Sequence, residues 1–382
     1  MAPTSAAPGK PRVFLMGLRR CGKSSIQKVV FHKMSPHETL FLEATSKIVK
    51  TDICNSAFLR FEVWDFPPPS LTDFTDQAAK WTPIFAGCST LVWIVDAQDD
   101  YAESLGRLQA AVVVAARANP QIQVEIFVHK ADSLGEEGRW EAARDVHEQM
   151  TQELANLQVE IPPLRVFLTS IYDPSVFECL SKVVQKLLPQ LPTLQNLLDR
   201  FLTKCSGEKA FLFDMVSKLY LATDSSPVDM ALYELCSDVI DTVIDISYIY
   251  GTKGGTGVGA AAGAAAAAAP AADGGGAAGG GADEGDTLAG SAAAGGAIVP
   301  LASAAAHSSA TIRLSTGSVI ELRHVDHFTA LVTIMSDRTL DKHGLVEFNF
   351  CAFREAVRLL FEAPPSAPAA GAAKAMLVGA GV

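Results

Sequence analysis

Residues 17–24 read Gly-Leu-Arg-Arg-Cys-Gly-Lys-Ser, between an apolar run with the character of a strand, Arg12–Gly17, and a stretch with the character of a helix, Lys23–His32. No other segment of the chain constrains its fold as strongly. Glycines at 17 and 22 allow a tight turn in which consecutive backbone N–H groups and a helix amino end converge on one anion. At that spacing Lys23 reaches the terminal phosphates of a nucleotide and the Ser24 hydroxyl ligates a divalent cation. A glycine-rich turn with an incidental lysine is the bland alternative, but it gives no reason for strand, loop and helix to stand in register. Arg19 and Arg20 fill loop positions where small residues are common. They either crowd the γ-phosphate site or donate to it.

The rest of the first half keeps the same alternation. Strands are expected at Ile53–Arg60, Phe61–Phe66, Leu91–Asp96, Val124–His129 and Arg165–Thr169, with helices at Ala102–Ala118, Arg139–Leu157 and Ser175–Leu188. Such alternation implies a largely parallel sheet covered on both faces, with ligands at the carboxyl ends of the strands. Pro189-Gln-Leu-Pro192 breaks the pattern. Beyond it the order changes to a helix at Thr193–Lys204, a hairpin within Ala210–Thr223, a long helix at Val228–Ile249, strands at Thr311–Leu314, Ser318–Arg323 and Leu331–Met335, and a closing helix at Leu345–Phe361. From Gly251 to Pro300, 35 of 50 residues are Ala or Gly, too little side chain to offset the entropy of ordering.

Polar strand ends supply the remaining candidates. His129-Lys130-Ala131-Asp132 resembles the [NT]KxD element of GTPases. Its carboxylate accepts from N1–H and the exocyclic amine of guanine, a donor pair that adenine lacks. Thr169-Ser170-Ile171 fits a last base-contacting loop. Thr45, 21 residues after Ser24, is placed to meet both a cation and a γ-phosphate and so to order its loop only in the triphosphate state. Asp65 ends a strand and would hold Mg²⁺ through water. A DxxG pattern is expected to follow it, but the chain reads Asp65-Phe-Pro67-Pro68-Pro69. Pro68 has no N–H to offer a γ-phosphate, and Gln77 lies too far on to orient water. Weak or absent hydrolysis, a sensor working through switch I alone, and a faulty gene model all give this pattern.

Composition narrows the partners. A net charge of −11 and a pI of about 5.2 argue against nucleic acid or an anionic bilayer as the main ligand. Seven scattered cysteines without CxxC spacing read as reduced thiols. No apolar run is long enough for direct membrane insertion, so membrane residence is expected only through partners.

Taken together the segments resemble the Rag GTPases, specifically the C/D-type subunit. The resemblance rests on GLRRCGKSSIQKVVFHKMSPHETLFLEAT, WDFP, VDAQDDY, FVHKAD, FLTSIYDPSVFECLSKVVQKLLPQLPTLQNLL, KAFLFDMVSKLYLATDSSPVDM and GLVEFNFCAFREA. It implies an α/β fold in which a P-loop, Ras-like domain with a parallel-rich sheet (12–190) precedes an α+β roadblock/longin-like dimerisation domain (191–362). The latter would be interrupted by a disordered insert at 252–308, with disordered tails at 1–11 and 363–382. The implied cofactors are GTP/GDP and Mg²⁺. The expected nucleotide contacts are Arg19, Arg20, Cys21, Gly22, Lys23, Ser24, Ser25, Thr45, His129, Lys130, Asp132, Ser170 and Ile171, and the metal contacts are Ser24, Thr45 and, via water, Asp65. The implied partners are an A/B-type Rag GTPase in a heterodimer, a lysosomal scaffold complex, the target-of-rapamycin complex and GTPase-activating proteins. The family carries Gly and Gln directly after WDFP; here both are gone and the segment is two residues longer. A pseudo-GTPase scaffold that binds without hydrolysing is therefore the alternative function. A P-loop kinase or ATPase would leave the HKAD element without a purpose.

Overall fold

The computed structural model of the chain describes residues 10–54, 60–69, 74, 78–156, 164–250 and 309–362. The Ala/Gly insert, Gln77 and most of both tails lie outside them.

In the first half, β1 (Arg12–Gly17), β2 (Val49–Ile53), β3 (Phe61–Asp65), β4 (Thr90–Asp96), β5 (Gln123–His129) and β6 (Arg165–Thr169) form a six-stranded sheet. Its order is β2-β3-β1-β4-β5-β6. All neighbours are parallel except the edge pair β2 and β3. Side chains alternate across a strand, and β1 is apolar on both sides. Val13 and Leu15 enter one core with α1 (Lys23–His32) and α5 (Ser175–Gln185), whereas Phe14 and Met16 enter another with α2 (Ala78–Ala86), α3 (Ala102–Ala118) and α4 (Glu136–Asn156). Burial on both faces explains why the central strands are near-continuous apolar runs.

The strand expected at 53–60 is displaced. The observed β2 shares only Ile53 with it, and residues 55–59 lie outside the described set. Its sequence, Val-Lys-Thr-Asp-Ile, is largely exposed. Pairing to β3, with Val49 opposite Asp65 and Ile53 opposite Phe61, places this strand; its own hydrophobicity does not. The helix expected to reach Leu188 ends at Gln185, and a 3-10 turn at Pro36–Phe41 was not anticipated.

The second half begins with α6 (Leu191–Cys205), which starts inside the proline-rich break. A five-stranded antiparallel sheet follows: β7 (Gly207–Asp214), β8 (Tyr220–Thr223), β9 (Ser309–Arg313), β10 (Ser318–His324) and β11 (Thr329–Ser336), in the order β8-β7-β11-β10-β9. The long helix α7 (Met230–Tyr250) covers one face through Tyr233, Cys236 and Ile240. Helices α6 and α9 (His343–Glu362) cover the other, where Phe201 meets Phe353 at 5.8 Å. A short helix, α8 (Asp337–Leu340), precedes α9. The core beneath α5 runs on without interruption into this second layer. There the Tyr220 N–H, on the edge strand β8, donates to Ser181 Oγ of α5 at 3.0 Å.

Candidate functional site

The loop after β1 closes through two glycines in conformations that side chains resist. Gly17 has φ 146° and Gly22 φ 101°. A Cβ at Gly17 would lie 2.3 Å from the Ile94 carbonyl, and one at Gly22 would lie 2.4 Å from His129 Cδ2. The second contact joins two motifs far apart in sequence, since the first residue of the HKAD element packs directly on the phosphate loop. Lys23 is buried, and its ammonium donates to the carbonyls of Gly17 at 3.0 Å and Leu18 at 2.6 Å, which aims it along the loop.

Ser24, Thr45 and Asp65 come from a helix, a connecting loop and a strand, and they meet at one point. The Ser24 hydroxyl donates to Asp65 Oδ2 at 2.5 Å and lies 2.7 Å from Thr45 Oγ1. Thr45 Oγ1 is itself 3.3 Å from the same carboxylate oxygen. Asp65 Oδ1 is buried and has no hydrogen-bond partner among the described residues. Burial pushes the Asp65 carboxyl above its usual range, opposed by Ser24 and the Lys23 ammonium. Hard oxygen donors around a desolvated carboxylate with a spare oxygen fit a small divalent cation such as Mg²⁺.

At the other end, Ser170 Oγ donates to Asp132 Oδ1 at 2.6 Å and Lys130 Nζ to Asp96 Oδ2 at 2.5 Å. His129 is buried with Nδ1 3.0 Å from Thr169 Oγ1, and burial lowers its pKa to about 4 with help from Lys130. Its imidazole is therefore neutral at physiological pH. Lys130 takes a left-handed backbone with φ 63°, as does Arg20 in the phosphate loop. Such strain in non-glycine residues persists only where the surroundings enforce it. Arg139 Nε holds the carbonyls of Ala131 at 2.8 Å and Leu134 at 3.1 Å, bracing the turn that carries Asp132.

These ends face one cleft of about 810 Å³. Of the expected contacts, Arg19, Arg20, Gly22, Lys23, Ser24, Ser25, Thr45, His129, Lys130, Asp132 and Ile171 line it. Cys21 is buried within the loop, and Ser170 is buried and hydrogen-bonds Asp132. Pro68 also lines the cleft, with Phe66 anchored among Phe14, Trp64 and Trp81. Arg107 of α3 donates to the Pro69 carbonyl. Sequence reasoning missed Arg107, Arg139 and Tyr172. Asp96 and Thr169 were legible as polar strand ends.

A sheet in this order, with an anion-binding loop after β1 and an oxygen cluster beside it, fits a Ras-like G domain. Residues 12–240 match the Gtr1/RagA G protein conserved region, and the chain belongs to that family as a Rag C/D-type protein. It is 46% identical over 360 residues to Ras-related GTP-binding protein C of Homo sapiens, covering 94% of this chain and 79% of that protein. It is 41% identical to GTP-binding protein gtr2 of Schizosaccharomyces pombe, covering 92% and 98%. Ras-related GTP-binding protein A of Dictyostelium discoideum is more distant, at 22% over 240 residues. Among the described residues no helix is long and apolar enough to cross a membrane.

Proposed function

We propose that this chain binds GDP and GTP with Mg²⁺ in the cleft and serves as the C/D-type subunit of a Rag heterodimer. One observation carries the reading: Lys23, Ser24 and Asp132 all line a single cleft. In this reading the backbone from Arg19 to Ser25 wraps the phosphates, and Lys23 offsets their charge. Asp132, positioned by Ser170, reads the guanine edge. His129 fastens the base turn to the phosphate loop, and Ile171 and the Lys130 stem flank the base. Ser24 and Thr45 ligate the cation directly, with Asp65 acting through water. A divalent cation held by these residues would offset the charge of the nucleotide's terminal phosphates.

The partner is an A/B-type Rag GTPase, joined through the five-stranded second domain, which we read as roadblock-type. Family membership supports the wider role: peripheral residence on the lysosome or vacuole through a scaffold complex, response to GTPase-activating proteins, and relay of amino-acid sufficiency to the target-of-rapamycin complex. Calorimetry tests the cleft directly. Asp132→Asn is expected to lower GTP affinity by about 100-fold or more and to admit xanthosine triphosphate, because a buried or clamped hydrogen-bonded charge contributes roughly that much to recognition. Equal competition by ATP and GTP would defeat the reading.

A specific observation favours a second reading, a scaffold that binds nucleotide without hydrolysing it. Pro68 stands where DxxG proteins present a glycine N–H, and Arg107 grips the next carbonyl. Under this reading single-turnover assays with the purified partner release no phosphate above the uncatalysed rate. Measurable release would restore the hydrolytic switch.

A further inference from the structure

The segment between α1 and Thr45 forms a strap along the cleft. Its amino end is a rigid turn in which the Ser35 N–H donates to Glu38 Oε2 at 3.3 Å and Thr39 Oγ1 donates to the Pro36 carbonyl at 2.7 Å. Thr39, Leu40 and Leu42 then line the cleft, and Thr45 ends the strap on Ser24 and Asp65. The strap is thus held at the cation end by oxygen contacts. At the base end it is held by a different interaction: His37 meets Tyr172 ring to ring, with centroids 5.8 Å apart and planes at 52°. Tyr172 is 52% exposed and lines the cleft. Its N–H donates at 3.1 Å to Ser170 Oγ, the hydroxyl that positions Asp132. His37 is outside the residues lining the cleft, so it acts on a bound nucleotide only through the strap it belongs to and through Tyr172.

We propose that His37 and Tyr172 form a latch that fastens the strap across the base end of the cleft and sets how long a guanine nucleotide stays bound. Both are positioning residues, and the proposal rests on the nucleotide reading above. Release of a nucleotide requires the strap to lift from one end. The cation end is held by Thr45 in every variant considered below, so the ring contact is the adjustable closure.

The test uses the full chain, radiolabelled GDP in excess Mg²⁺ and filter binding to follow release, with calorimetry to count sites. Breaking one aromatic contact is expected to speed release roughly 2- to 10-fold. His37→Ala and Tyr172→Ala should each do so, the double variant should release no faster than Tyr172→Ala, and His37→Phe should restore slow release by keeping a ring. Circular dichroism confirms that each variant is folded; both sites are on the surface. Release from His37→Ala at the wild-type rate overturns the latch, as does a double variant whose effect is the product of the singles. If the wild-type chain gives no heat with GDP, the nucleotide reading falls and the latch with it. If GDP binds and release is identical across the variants, the latch alone falls.

Discussion

In the first sheet His129 lines the cleft from a strand end, with Asp65, Thr169 and Ser170 at or just past neighbouring strand ends, while the buried Glu125 inside β5 pairs with Lys186; in the second, buried charged residues lie within or just beyond the strands and close on each other. Lys209 and Asp224 are both 4% exposed and 3.1 Å apart. Lys209 also donates to Ser226 O and Oγ, each at 2.8 Å. Burial alone would raise the Asp224 carboxyl, but hydrogen bonds from Ser226, the Ala210 N–H and Lys209 hold it below its ordinary value. Arg323 likewise pairs with Glu321 at 2.6 Å and with Glu347. The contrast separates binding from architecture. A parallel sheet gathers its strand ends on one edge and leaves polar groups there open to a ligand. An antiparallel sheet packed between helices must satisfy its buried charges internally.

Lys209→Met is expected to damage the second sheet most. It leaves Asp224 buried without its cation and should lower stability by about 3–5 kcal/mol, read as a fall in denaturant midpoint. Guanine nucleotide affinity at 25 °C should stay within about twofold, the resolution of the assay. A matching loss of nucleotide binding would show that the two sheets are not separable in function.

A smaller effect sharpens the first sheet's side. The folded chain holds His129 at about 4, whereas an unfolded chain takes up a proton near pH ~6.5. Below that pH the unfolded state gains a proton the folded state refuses, so stability falls as pH drops and levels off near 4. Between pH 7 and pH 5 the loss from this residue is about 2 kcal/mol. Thermal unfolding of His129→Asn across that range should show a shallower slope than wild type. Parallel slopes would mean that the ring is not held neutral.

The smallest effect lies where the halves meet. Ser181→Ala removes the acceptor for the Tyr220 N–H and should cost about 1 kcal/mol, the value of one hydrogen bond with a buried donor left over. Ser181→Thr should recover most of it. No change in unfolding midpoint for the alanine variant would show that another acceptor takes over this N–H.

Much of this molecule was legible before folding. Helices Ala102–Ala118 and Met230–Tyr250 and strands β4, β5 and β6 follow from apolar runs and their periods, within a few residues. Strand β2 did not, because an exposed edge strand carries no apolar run and takes its place from its neighbour's hydrogen bonds. The site followed the same division. Lys23, Ser24 and Asp132 were named from local motifs. Arg107 on Pro69, Arg139 under the base turn and Tyr172 against His37 were invisible, since each partnership joins segments with no shared local pattern.

The glycine and lysine loop between strand and helix, the acidic turn after a buried strand, and the proline run that removes an N–H beside them are all readable from the chain alone. Backbone geometry and side-chain chemistry act over a few residues, and those features need no more. Tertiary structure alone decided that His129 abuts Gly22, that Ser24, Thr45 and Asp65 share one point, and that α5 docks on the far sheet's edge. Those meetings depend on how two sheets and their helices fill space, and close packing across a whole core specifies them.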